Sequence, residues 1–224
     1  MSASPPLALG VLVSGSGTNL QAILDASASG RIPVAVKVVI SNRPKAGGLD
    51  RARAAGVPAV ALSHRAFDGR EAFEEALIGV LRDHGARWVA LAGFMRLLTP
   101  HFLRAFPDSV VNIHPALLPS FPGTHGPRQA LDYGARWSGC TVHFVDEGTD
   151  TGPIIAQAVV PVLPTDDEES LARRILVQEH RIYPWALSLL ALGRVRREGR
   201  RVLIEGYEGA SLASWINPPP PDGR

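Results

Sequence analysis

Along the first half of the chain, short apolar runs alternate with stretches of helical period. Leu7–Val13 is such a run; a glycine-rich turn follows at 14–19, and Leu20, Gln21, Ala22, Ile23 and Leu24 open a helix. A second apolar run covers 34–40, with a helix around 48–55 and a short strand near Val60. Phe73, Ala76, Leu77, Val80 and Leu81 repeat at helical spacing within 70–83, and 88–91 reads as another short buried strand. Near-continuous apolar strands separated by amphipathic helices predict parallel pairing, with helices on both faces of the sheet. The expected class is α/β with a Rossmann-like, mostly parallel sheet.

The second half departs from this rhythm. A strand at 110–113 ends at His114-Pro115, and an irregular segment holding Pro119, Pro122, Gly123, Gly126 and Pro127 follows; loops of that length are usually functional. Two strands at 139–145 and 154–162 are joined by a polar turn at 146–152. A long helix is expected over 168–192, kinked or broken near Pro184, because an interior proline removes a helical hydrogen bond. Leu203 and Ile204 pair with 194–197 in a small hairpin. The expected domain plan is a flexible N-terminus at 1–6, a single domain over 7–205, and an extension over 206–224 that ends in a proline run.

Composition narrows the choice without naming a function. With 46% hydrophobic and 20% charged residues, 22 Gly and 19 Pro in 224 residues, the chain is a loop-rich globular protein and not a coiled coil, collagen or disordered tail. A formal net charge of +2 sets up no general field for nucleic acid. The single cysteine, Cys140, excludes an internal disulfide and fits a reducing compartment. Residues 2–24 carry no charged side chain, yet the apolar part is far shorter than the ~20 residues of a membrane span. No basic segment precedes it, as a signal peptide would require. These features predict a cytoplasmic protein that binds neither membrane nor nucleic acid.

Four groups of residues carry candidate chemistry. Ser14-Gly15-Ser16-Gly17-Thr18-Asn19 lies between a strand and a helix, where backbone N–H groups and the helix dipole favour a phosphate. The dinucleotide fingerprint and the Walker pattern are both missing, so a monophosphate fits better; an ordinary tight turn capped by Thr18 or Asn19 has the same spelling. Asn112 and His114 alternate with Ile113, so two polar groups leave one side of a strand at its C-terminal end, the edge where open α/β sheets bind ligands. An amide N–H can hold a developing oxyanion, and an imidazole moves protons near neutral pH. In the turn at 146–152, a carboxylate set against that imidazole would favour its charged form; a solvated acidic turn is the plainer reading of Asp146 and Glu147. Glu179 faces inward among Ile175, Leu176, Ile182 and Tyr183 and needs a partner, from a ligand or from the protein. His143 reads equally as a structural histidine. The arginines at 194, 196, 197, 200 and 201 read best as a solvated hairpin edge. No metal-binding spacing is present, so no metal is expected, and neither Ser14 nor Cys140 has the supporting motif of a nucleophile.

Four segments are together similar to the phosphoribosylglycinamide formyltransferase family. They are the Gly-rich turn continued by Leu20-Gln21, Ala92-Gly93-Phe94-Met95-Arg96-Leu97-Leu98, Asn112-Ile113-His114-Pro115-Ala116-Leu117-Leu118-Pro119, and Asp150-Thr151-Gly152-Pro153. Gln178-Glu179-His180 followed by Tyr183-Pro184 adds to the likeness, which runs from about Leu9 to Arg194, while the wording of 121–127 departs somewhat from the common form. The resemblance implies the formyltransferase fold and transfer of a formyl group from 10-formyltetrahydrofolate to the amine of glycinamide ribonucleotide in purine biosynthesis. It implies Asn112, His114 and Asp150 as the catalytic trio, and Gly17, Thr18, Asn19 and Glu179 as ribonucleotide-binding. Arg70, Met95, Arg96, Leu97, Leu98, Val145, Asp146, Glu147, Gly148 and Thr149 would line the folate site. A monomer or homodimer acting on these two small molecules is expected. The alternatives are a 10-formyltetrahydrofolate hydrolase, which would carry a second histidine where Pro115 stands, and a non-catalytic phosphate-ligand binding module. A methionyl-tRNA formyltransferase would need an RNA-binding domain beyond Leu192, for which 193–224 is too short.

Overall fold

A computed structural model describes residues 5–207 and the backbone of 216–217. Of the expected loose ends, residues 1–4, 208–215 and 218–224 lie outside the described residues. The chain divides into two compact units, Met1–Asn112 and Ile113–Arg224.

The first unit runs β1 (Leu7–Val13), α1 (Thr18–Ala28), β2 (Val34–Ser41), α2 (Gly47–Ala54), β3 (Ala59–Ala61), α3 (Arg70–Asp83), β4 (Trp88–Leu91), α4 (Pro100–Ala105) and the first three residues of β5 (Val110–His114). All of its strand pairings are parallel: β1 lies between β2 and β4, β3 pairs with β2, and β5 with β4. Flanked on both sides, β1 is buried from Ala8 to Val13. Each large aliphatic side chain so buried contributes about 1.5–3 kcal/mol, whereas a charge there would be left without water. This explains the charge-free opening of the chain. No described helix is long and apolar enough to cross a membrane.

The second unit holds the last two residues of β5, then α5 (Gly126–Tyr133), β6 (Trp137–Phe144), β7 (Ile154–Pro161), α6 (Glu168–Ala191), the hairpin of β8 (Val195–Glu198) and β9 (Arg201–Ile204), and β10 (Ile216–Asn217). Here the pairings β6 with β7, β7 with β10 and β8 with β9 are antiparallel. The register of β6 against β7 shifts between Val142 and His143, just before the turn that carries Asp150. Helix α6 packs on β6 and β7. Its start is set by a capping box, in which the Asp167 carboxylate accepts the Ser170 N–H at 2.8 Å and the Ser170 hydroxyl accepts the Asp167 N–H at 2.9 Å. Beside it, a two-pronged bond from Arg174 (2.7 and 2.9 Å) holds the Asp166 carboxyl well below the usual carboxylate range.

The class is the mostly parallel α/β type that the alternation predicts. Three local expectations need correction. Helix α6 continues without a break through Pro184, because Ile182, Tyr183, Pro184, Ala186 and Leu187 are all buried and their packing outweighs one lost hydrogen bond. Neither Thr18 nor Asn19 is the N-cap of α1; the cap is Gly17, which makes no side-chain capping bond. The irregular segment after Pro115 gives way to α5 at Gly126, and α4 and a 3-10 turn at His64–Ala66 have no counterpart in the sequence reading.

Candidate active site

The strand β5 ends in alternation. Asn112, the last residue of the first unit, and His114, in the second, leave the same side of the strand, with buried Ile113 between them. The His114 side chain is 5% exposed, and both ring nitrogens face oxygens: Nε2 is 2.9 Å from the Phe121 carbonyl and Nδ1 is 3.3 Å from Asp150 Oδ2. A carbonyl and a carboxylate only accept, so each ring nitrogen of His114 faces an acceptor. His114 and Asp150, 36 positions apart in sequence, thus meet as the sequence reading anticipates.

Asp150 is held in place by backbone. Its φ of 55° is left-handed, a conformation that aspartate tolerates better than most residues, and Oδ2 accepts the Gly123 N–H at 2.7 Å. On its other side, His143 Nε2 stands 3.7 Å from Oδ1. Burial pushes the His143 imidazole below its ordinary value of 6.5; its bond to the Phe144 carbonyl and the nearby Asp150 charge only partly oppose this. The His143 Nδ1–H donates to the Phe144 carbonyl at 2.7 Å, which fixes the tautomer and turns Nε2 toward Asp150. One carboxylate therefore lies between two buried histidines. The chain reaches this turn by a close approach: a Cβ on Gly152 would stand 1.7 Å from the Phe144 carbonyl oxygen, so only glycine fits. Asp146 Oδ1 accepts the Gly148 N–H at 3.2 Å and the Thr151 hydroxyl at 2.6 Å, so this acid shapes the turn as well as facing solvent. Glu147, Gly148 and Thr149 are exposed, and Val145 half-buried.

In the first unit, the turn at 14–19 leads into α1 through Gly17, whose φ of 74° suits glycine and whose Cβ position would fall 2.6 Å from the Gly48 Cα. The start of α2 braces the turn: Gly48 N–H donates to the Gly15 carbonyl at 3.1 Å and Arg51 Nε to the Ser16 carbonyl at 2.8 Å. Gly47, Gly48 and Arg51 escape the sequence reading, although a Gly-Gly pair at a helix start hints at close backbone contact. With no acid in the first turn of α1 and no side chain on its cap, the amides of Thr18 and Asn19 suit an anion. Arg70 opens α3 and is exposed. Met95 and Leu97 are 60% and 58% exposed, Leu98 is half-buried, and the Arg96 guanidinium lies 5.7 Å over the Phe73 ring.

Glu179 is buried in the second unit, on α6 and near Cys140, whose thiol is pushed well above 9.0 by burial first and by the Glu179 charge second. So raised, that thiol is no nucleophile. The Ser14 hydroxyl is tied to Asn42 Oδ1 at 2.6 Å.

Comparison with known proteins follows the same lines. Residues 8–187 match the family model described as Formyl transferase. The Escherichia coli phosphoribosylglycinamide formyltransferase is 44% identical over 204 residues, covering 88% of this chain and 96% of that protein. Among solved structures, glycinamide ribonucleotide transformylase 1 from Symbiobacterium toebii superposes with a TM-score of 0.89 at 55% identity, over 90% of this chain and 95% of that one. The trifunctional purine biosynthetic protein adenosine-3 of Drosophila pseudoobscura is 48% identical over 88% of this chain, which spans only 15% of that protein's length; the Drosophila melanogaster protein of that name is 51% identical, with 14% of its length spanned. The chain belongs to the formyl transferase family.

Proposed function

We propose that the chain is a phosphoribosylglycinamide formyltransferase that moves the formyl group of 10-formyltetrahydrofolate directly onto the amine of glycinamide ribonucleotide, with 7–205 acting as one catalytic domain. The observation that carries this reading is His114, buried between the Phe121 carbonyl and the Asp150 carboxylate, with Asn112 on the same side of the same strand.

The substrate amine is already a nucleophile, so no acyl-enzyme is needed. Its lone pair attacks the formyl carbon, the C=O bond opens to an oxyanion, and a tetrahedral intermediate forms. The Asn112 amide stabilises that oxyanion, joined by the His114 Nε2–H as it turns from the Phe121 carbonyl to the substrate. Collapse breaks the bond to the folate N10, which takes up a proton as the former amine gives one away. His114, with Asp150 or water, carries that proton. Holding the two substrates together supplies much of the remaining acceleration. On this reading Gly17, Thr18 and Asn19 bind the phosphate, Glu179 the ribose or glycinamide end, and Arg70, 95–98 and 145–149 the folate.

The test is folate release followed by absorbance with glycinamide ribonucleotide, with methionyl-tRNA and with no acceptor. Release with the first alone is expected; release with no acceptor would mark a hydrolase instead. Asn112→Ala and His114→Ala each lower single-turnover rates by about 10²–10³-fold, the usual cost of one oxyanion donor. Wild-type rates in both would overturn the assignment.

A further inference from the structure

Ser14 does two things in the first unit that the formyl-transfer reading does not use. It opens the glycine-rich turn, and it grips the segment 93–95 at two points. Its backbone N–H donates to the Gly93 carbonyl at 3.1 Å, and its hydroxyl accepts the Met95 N–H at 2.8 Å. The same hydroxyl donates to Asn42 Oδ1 at 2.6 Å. Ser14 and Asn42 are 2% and 3% exposed, so the bond between them is buried, and the bond to the Met95 N–H is part-buried.

The link continues and returns. The Asn42 side-chain NH2 and its backbone carbonyl oxygen lie 3.4 and 3.3 Å from His64 Nδ1, the His64 ring stands edge-on to Phe73 at 6.3 Å, and Arg96 lies over that same Phe73 ring. At the far end of the segment the buried Glu74 carboxylate accepts both the N–H, at 2.8 Å, and the hydroxyl of Thr99. Met95 and Leu97 point their side chains largely into solvent, so apolar burial contributes little to the shape of 95–98. Hydrogen bonds at 93, 95 and 99 set it instead.

We infer that Ser14 is a positioning residue whose hydroxyl, anchored on Asn42, sets the Met95 amide and with it the folate-lining segment at a fixed distance from the phosphate turn. The inference rests on the reading of 95–98 as folate-lining. Without the hydroxyl, the part-buried Met95 N–H loses its protein acceptor, and the segment shifts toward another acceptor or solvent.

The test is steady-state kinetics of the full chain with each substrate varied in turn. In Ser14→Ala the KM for the formyl donor rises by up to about tenfold, as expected for one lost part-buried bond, while kcat and the ribonucleotide KM stay within about twofold. Asn42→Ala removes the anchor of the same hydroxyl and gives the same split; it carries the test if Ser14→Ala does not fold. A purely structural role would lower stability without separating the two KM values. Equal changes in both KM values, or an unchanged donor KM, overturn the inference. Leu97→Ala separates the two failures: a donor KM raised there but not in Ser14→Ala sinks the Ser14 link alone, whereas a donor KM unchanged in Leu97→Ala sinks the folate-lining reading beneath it.

Discussion

The turn at 14–19 and the turn at 146–152 both follow strands, yet they are held by opposite means. The first is braced by backbone: Gly17 in a left-handed conformation, the Gly48 amide on the Gly15 carbonyl, and Arg51 on the Ser16 carbonyl. It holds no charge of its own and presents amides at a helix start. The second is braced by carboxylates, Asp146 on Gly148 and Thr151, and Asp150 on Gly123, His114 and His143. A backbone turn suits a bound anion because its partial positive charges cost no desolvation of a full ion. A carboxylate turn suits proton movement because it sets a fixed negative charge against imidazoles.

Breaking the carboxylate turn gives the largest expected effect. Asp150→Asn keeps an acceptor for the Gly123 N–H and tolerates the left-handed backbone, but removes the charge facing His114; kcat falls by about 10²-fold or more, as for loss of assisted proton transfer. Single-turnover rates measured beside thermal stability check this, since the fold should survive. Next comes the backbone turn. Gly17→Ala forces a side chain into a left-handed conformation against the Gly48 backbone and costs about 1–3 kcal/mol of stability. Denaturant midpoints should show that loss, and the ribonucleotide KM should rise while the donor KM changes little.

The smallest effect sharpens the contrast through pH. His143 is buried with its pKa below 6.5, so between 6.5 and that lower value the unfolded chain binds a proton that the folded one does not. Stability therefore falls as pH drops below about 6.5. His143→Gln abolishes that contribution. Urea unfolding at pH 5.5 and 7.5 should show a smaller pH difference in the variant than in the parent; an equal difference would mean that His143 is not the titrating group.

Much of the fold was legible. The apolar runs at Leu7–Val13 and 34–40 announced parallel strands because buried strands need no polar alternation. Gly17, Asn112 and His114 were legible for a related reason: each stands in a short local pattern at a strand end. Pro184 misled as to a break, since a local rule about proline says nothing of the burial that keeps α6 continuous. The segment 119–127 misled in the other direction, because its prolines and glycines mask the start of α5 at Gly126. In sequence Ser14 stands only as the first residue of a candidate phosphate turn and Asn42 carries no signal; their hydrogen bonds to each other and to Met95 are seen only in the folded chain.

By itself, then, the sequence determined the order of most strands and of the longer helices, the family, and which polar residues stand at which strand ends. These depend on neighbours a few positions apart, and period and turn chemistry record them directly. The tertiary structure alone decided that His114 faces both Phe121 and Asp150, that His143 closes the far side of that carboxylate, and that Ser14 ties its turn to Met95. The contacts of His114 with Asp150 and of Ser14 with Met95 join residues far apart in the chain, the other two cross loops, and the strength of all of them depends on burial that exists only once the chain has folded.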